Sequence, residues 1–94
     1  MSFDQQAYLA VRKKSGLYGR ELAAIYRVSR QTIENWRTGR HLPDNDLVVS
    51  AANKTTRALA AAVEKGVLPH SLAVGTEERA RRVAAMRDRI SRLP

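Results

Sequence analysis

Arg20 to Gly39, RELAAIYRVSRQTIENWRTG, is the stretch that decides how this chain folds. Ser29 is a good N-cap, able to accept from the free amides of a first turn, and a helix follows from Arg30 to about Thr38. Gly39 ends it in the left-handed position that favours glycine. At about 100° per residue, Ile33 and Trp36 share one side of this helix. Gln31, Glu34, Asn35 and Thr38 share the other, with Arg30 and Arg37 on the flank. Upstream, Leu22, Ala23 and Tyr26 form an apolar edge that can meet Ile33 and Trp36 across a tight turn, and Ala23 is small where two helices must approach. Two short helices with one polar surface left free are expected.

Working outward, the first helix is expected between Met1 and Ser15, with Ser2 and Gln5 spaced as a capping box and Phe3, Ala7, Tyr8 and Val11 at helical intervals. It ends in Arg12, Lys13 and Lys14, which suit a helix C-terminus, and Gly16 allows a left-handed exit with Leu17 folding back. Beyond the central stretch, Arg40 to Pro43 reads as a loop, and Asp44 or Asp46 can cap the next helix. Leu47, Val48, Ala51, Ala52, Thr55, Ala58, Leu59, Ala62 and Val63 give that helix an apolar face as far as Gly66. Lys54-Thr55-Thr56 has weak helix propensity, so one long helix or two shorter ones fit the pattern. Val67 to Gly75, with Pro69, reads as a connector. Thr76 followed by Glu77 and Glu78 is a well-formed start for a last helix to about Leu93. Its Val83, Met86, Ile90 and Leu93 have a/d spacing, which suits dimerisation, and packing back on the Leu59/Val63 face is the alternative. The expected architecture is all-α: four to five helices plus a C-terminal amphipathic helix, with residues 1–66 as one unit and 67–94 as a C-terminal helical segment.

The net charge of +8 is unevenly placed. From Arg12 to Arg40 eight Lys/Arg stand against Glu21 and Glu34, a local +6, while residues 41–66 are neutral overall. Such a concentration points to a polyanionic partner.

Leu22-Ala23, Val28-Ser29, Thr32-Ile33, Trp36, Gly39 and Pro43, followed by an apolar helix near Leu47, resemble the helix-turn-helix of the Cro/CI-type (XRE) family of phage and bacterial regulators. The resemblance covers roughly residues 5 to 60. It implies a DNA-binding fold, and Arg30, Gln31 and Asn35 align with positions from which lambdoid repressors read bases. Their chemistry agrees, since forked and amide side chains read base edges in the major groove, Arg at guanine and Gln or Asn at adenine. Glu34 can orient Arg30, accept from a cytosine amino group, or repel phosphate. Arg37, Thr38 and Arg40, with the amides around Gly39, suit phosphate contact, and Trp36 suits the core better than base stacking.

Other chemistries find little support. No cysteine is present, so a disulfide or thiolate metal site is excluded. His41 and His70 are far apart, Glu77 and Glu78 point to different sides of a helix, and the glycines are isolated, so no catalytic, metal or phosphate-cradling arrangement emerges. No apolar run approaches a membrane span and no leader precedes the chain, from which a cytoplasmic location is expected. The expectation is a non-enzymatic regulator of double-stranded DNA without cofactor or small-molecule ligand, working as a homodimer on an inverted-repeat operator. The competing expectations are a nucleoprotein assembly factor with an oligomerising last helix, and a purely protein-binding helical domain.

Overall fold

Trp36 lies at the meeting point of the first three helices, under a cluster of aromatic rings. In the computed structural model, which describes residues 2–66 and 72–93, five α-helices follow one another: α1 (Gln5–Ser15), α2 (Gly19–Tyr26), α3 (Arg30–Thr38), α4 (Asp46–Glu64) and α5 (Glu77–Ser91). The described residues contain no strand, so the all-α class holds. Tyr8 and Tyr26 stand edge-on to Trp36, with ring centroids 5.7 Å and 5.5 Å away, and Phe3 lies against it at 4.8 Å. Aromatic pairs of this kind contribute about 0.5–1.5 kcal/mol each beyond the area they bury.

The helix ends follow short-range chemistry. Gly16 exits α1 at φ 68° and Leu17 folds back into the core. Arg27 ends α2 in the left-handed region, φ 59° and ψ 45°, and the following Val28 amide donates to the Ala23 carbonyl at 3.0 Å. Ser29 Oγ caps α3 by accepting from the Thr32 amide at 3.1 Å, and Thr76 caps α5 from the Arg79 amide at 3.3 Å.

Two caps differ from expectation. Asp4, not Ser2, caps α1, accepting from the Ala7 amide at 3.0 Å. The reason is tertiary: Phe3 turns into the core, and Asn53 of α4 ties down the chain before α1, its side-chain amide accepting from Asp4 N–H and donating to the Ser2 carbonyl at 3.0 Å each. Asn45, rather than Asp44 or Asp46, caps α4, accepting from the Leu47 and Val48 amides at 2.9 Å and 3.3 Å.

α4 is one helix. Thr55 and Thr56 turn their hydroxyls onto the Ala51 and Ala52 carbonyls at 2.9 Å and 3.0 Å, and Thr56 Oγ1 also pairs with the Tyr26 hydroxyl at 2.7 Å. Packing overrides weak propensity at this point. The buried face begins at Val49, two residues later than expected, running through Val49, Ala52, Thr55, Thr56, Leu59 and Ala62. Leu47 and Val48 stand out of it, 82% and 43% exposed.

Most of the stripe expected to serve dimerisation, Val83, Met86, Ile90 and Leu93, is occupied inside the single chain. Val83, Met86 and Ile90 are each 7% exposed within a single chain and share the core of α1 to α4. α5 packs principally on α2, and Met86 and Ile90 also border the alanine side of α4 at Ala58, Ala61 and Ala62. Leu93 lies beyond the end of α5 and is exposed. The stripe is used up because α2 has two flanks to cover, and α1 and α3 cover only one. The expected connector around Pro69 and His70 falls at residues 67–71, outside the described residues.

Candidate nucleic-acid interface

α3 is held at both ends and on one face. Ile33 and Trp36 are 1% and 2% exposed, so the inner face is committed to the core. At the N-terminal end, the Ser29 and Thr32 hydroxyls pair at 2.9 Å. At the C-terminal end, Gln5 Nε2 donates to the Trp36 carbonyl at 3.0 Å. The same Nε2 lies 3.1 Å from where a β-carbon on Gly39 would stand, and Gly39 has φ 76°. Glycine is therefore required there by backbone conformation and by the approach of Gln5. The Tyr8 hydroxyl, accepting from Arg12 Nη1 at 3.1 Å, donates to the Ile33 carbonyl at 3.4 Å.

The outer face carries the residues expected to read bases. Arg30 and Gln31 are exposed, and Asn35 is half-buried. Gln31 Nε2 donates to Asn35 Oδ1 at 3.0 Å, which joins two amides one helical turn apart. The pair keeps the Gln31 carbonyl as an acceptor and the Asn35 amino group as a donor, a combination complementary to the N6 donor and N7 acceptor of adenine.

Glu34 does not orient Arg30. Its carboxylate pairs with Arg37, whose Nε lies 3.0 Å and 3.1 Å from the two oxygens, while a terminal nitrogen of Arg37 closes the pair. Hydrogen bonding by Arg37 holds the Glu34 carboxyl below its ordinary range and raises the Arg37 guanidinium in turn. Both side chains are about half exposed, 47% each, so the pair is a weak one that solvent and salt screen. Arg37 reaches a phosphate only by exchanging one anion for another. Thr38 Oγ1 lies 3.2 Å from the Glu34 carbonyl and 3.4 Å from that of Asn35, and it accepts from the Arg40 amide at 3.3 Å. Its hydroxyl thus closes the end of α3. The Arg40 side chain is exposed beside it.

The structure brings Arg30, Gln31, Glu34, Asn35, Arg37 and Thr38 onto one helix, with Arg40 just past its end. It leaves Val83, Met86 and Ile90 on the far side of α2. Three positioning residues carried no warning in the sequence: Gln5, which grips the end of α3; Asn53, which ties down residues 2–4; and Arg79. Arg79 lies 3% exposed and makes a two-point ion pair with Glu21 of α2, Nε to Oε2 at 2.6 Å and Nη2 to Oε1 at 2.8 Å. It also donates to the Leu72 and Gly16 carbonyls at 2.8 Å and 3.0 Å and stands over the Tyr18 ring at 5.5 Å. Glu21 Oε1 in addition accepts from the Tyr18 amide at 2.8 Å, capping α2. The only sequence signal was position: an arginine three residues after Thr76, on the same side of α5 as Val83 and Met86.

Among the described residues no group of three or more His, Cys, Asp or Glu side chains converges on a metal position, and no helix is long and apolar enough to cross a membrane. No family model matches this chain, and no curated protein or solved structure is significantly similar to it.

Proposed function

We propose that this protein is a sequence-specific, double-stranded DNA-binding regulator of the Cro/CI-type helix-turn-helix kind, which lays α3 in the major groove. The observation that carries the reading is the division of α3. Ile33 and Trp36 are sealed in the core, while Arg30 and the Gln31–Asn35 amide pair face outward from the most basic part of the chain. A major groove about 12 Å wide admits one helix, and these side-chain types match its donor and acceptor pattern. Arg37, Arg40 and the turn after Thr38 then supply phosphate contacts on the rim.

One helix reads only a few base pairs, at about 1–3 kcal/mol per good contact. Genomic discrimination therefore favours two copies on an inverted repeat with half-sites about one helical turn, 34–36 Å, or a multiple of it apart. The α5 stripe cannot join those copies without unpacking the monomer, so pairing on the DNA is the arrangement we favour. An assembly factor built on an oligomerising last helix loses its main support for the same reason. The work is placed in the cytoplasm, where the duplex is.

The test is selection from randomised duplex with the wild type and with Arg30→Ala, Gln31→Ala and Asn35→Ala. Each variant is expected to lose about 1–3 kcal/mol on the preferred site and far less on random sequence. Three variants that all keep the wild-type preference overturn the assignment of α3.

A further inference from the structure

The face of α5 turned away from the core carries three arginines among alanine, serine and two glutamates, and a fourth follows just past its end. Arg81, Arg82, Arg89 and Arg92 are all exposed, and at about 100° per residue the first three fall within one narrow arc of the helix, with Arg92 continuing it just past the last turn. Ala85 and Glu78 are the other residues in that arc. Glu78 approaches Arg82 only loosely, at 3.8 Å, and both are more than half exposed. An ordinary solvated helix alternates signs and pairs them at i,i+4. On α5 Glu77, Glu78 and Asp88 stand four residues before Arg81, Arg82 and Arg92, yet among the described residues only Glu78 and Arg82 approach as a pair, and Asp88 lies on Arg87 instead, at 3.3 Å.

We infer that this arginine row is a second, sequence-independent contact with the phosphate backbone of nucleic acid, separate from α3. The inference rests on the reading of this protein as a DNA binder for the identity of the polyanion, though not for the geometry. The row runs from Arg81 to Arg92, a rise of about 16 Å at 1.5 Å per step, long enough to follow several phosphates rather than one. Arginine suits that use, because its planar fork gives two parallel hydrogen bonds to a phosphate and sheds its weaker hydration readily.

Its position separates it from the α3 face. Tyr26 of α2 stands against Trp36, whereas Glu21 and Ala24 of α2 face Arg79 and Ala80 of α5. α3 and α5 therefore lie on different flanks of α2, and Arg79 locks α5 in place so that the outer arginines have a fixed direction. The phosphates they meet belong either to flanking sequence on the same duplex or to a second duplex.

The full chain is titrated with duplex at several salt concentrations, comparing wild type, a triple variant Arg81→Gln/Arg89→Gln/Arg92→Gln, and the charge-keeping Arg81→Lys/Arg89→Lys/Arg92→Lys. All three positions are exposed, and circular dichroism confirms that the fold is kept. On a long duplex the Gln variant is expected to flatten the slope of log affinity against log salt by about 0.9 for each phosphate released, with sequence preference unchanged, while the Lys variant keeps most of the slope. A short duplex carrying only the preferred site distinguishes the sources. If the row holds flanking phosphates, the Gln variant matches wild type there; if it holds a second duplex, wild type binds two short duplexes and the variant one. A Gln variant with the wild-type slope on long duplex and wild-type stoichiometry on short duplex overturns the inference. Loss of preference in the α3 variants without change of slope, or the reverse, shows which of the two surfaces has failed.

Discussion

Arg79 and Glu21, fifty-eight residues apart in sequence, form a closed ion pair whose side chains are 4% and 10% exposed. Through it α5 is fastened to the first turn of α2, at the residue that also caps that turn. Arg79→Ala leaves the Glu21 carboxylate buried beside carbonyls that have lost their donor, and removing one member of a buried pair costs about 3–5 kcal/mol. Urea denaturation of Arg79→Ala should show that loss, and Glu21→Gln a smaller one. Near-wild-type stability in Arg79→Ala would mean that the pair contributes little.

The same pair sets a pH dependence. Hydrogen bonding by Arg79 lowers the Glu21 carboxyl below its ordinary value, outweighing the opposite effect of burial. A carboxyl lowered by folding stabilises the native state above its unfolded value, about pH 4.3, and that contribution fades as pH falls through the folded value. Thermal unfolding should therefore drop more steeply below about pH 4.3 in the wild type than in Glu21→Gln. Parallel curves for the two proteins would contradict the assignment.

Arg27 is the described non-glycine residue with positive φ, 59°. Its side chain is exposed, so Arg27→Gly relieves the Cβ clash at no cost in packing, and a gain of about 0.5–1 kcal/mol is expected once the greater freedom of glycine in the unfolded chain is counted. Arg27→Val should lose stability instead. Equal melting temperatures for the three proteins would show that the turn stores no strain.

Ile90→Asp places a carboxylate in the core shared by α2, α4 and α5, and should lower stability by several kcal/mol, on the order of 3 or more. Sedimentation of the wild type, together with the melting temperature of Ile90→Asp, separates this from a role in self-association. A well-folded Ile90→Asp monomer derived from a wild-type dimer would reinstate the dimer stripe.

Glu34 restrains Arg37 and adds a negative charge beside the outward side chains of α3. Glu34→Gln should raise affinity for random duplex and steepen its salt dependence by up to about 0.9 in log slope, as Arg37 turns to phosphate. Unchanged binding would show that Arg37 already leaves Glu34 in the complex.

What could be seen in the sequence was local. Ser29, Thr76, Gly16 and Gly39 act within a few residues of themselves, and so does the 3.6-residue spacing that put Ile33 and Trp36 inside and Gln31 outside. What could not be seen depended on distant parts of the chain. Asp4 displaced Ser2 as a cap because Phe3 and Asn53 fasten the chain before it. Thr55 and Thr56 read as a weak point but lie under Tyr26. The Val83/Met86/Ile90 stripe looked identical whether its partner was another chain or α2, because periodicity names a buried face and not what buries it. Arg30, four residues before Glu34, and Arg37, three after it, were both within helical reach, and spacing alone did not show that Arg37 takes the carboxylate.

The clamp of Asn53 on residues 2–4 and the grip of Gln5 on α3 also bear on the order of events as the chain leaves the ribosome. The outward face of α3 is complete in sequence once Thr38 is made, and so are its nearest supports, Gln5 and Tyr8, whereas the bonds that tie α1 and α2 to α4 and α5 arrive later. Thr56 reaches Tyr26 across thirty residues, Asn53 reaches Asp4 across forty-nine, and Arg79 reaches Glu21 across fifty-eight. A nascent chain halted shortly after Arg40 carries every side chain of the α3 face and none of the α4 or α5 bonds that tie α1 and α2 in place. Rigid presentation of the α3 face is thereby left to parts of the chain made after it.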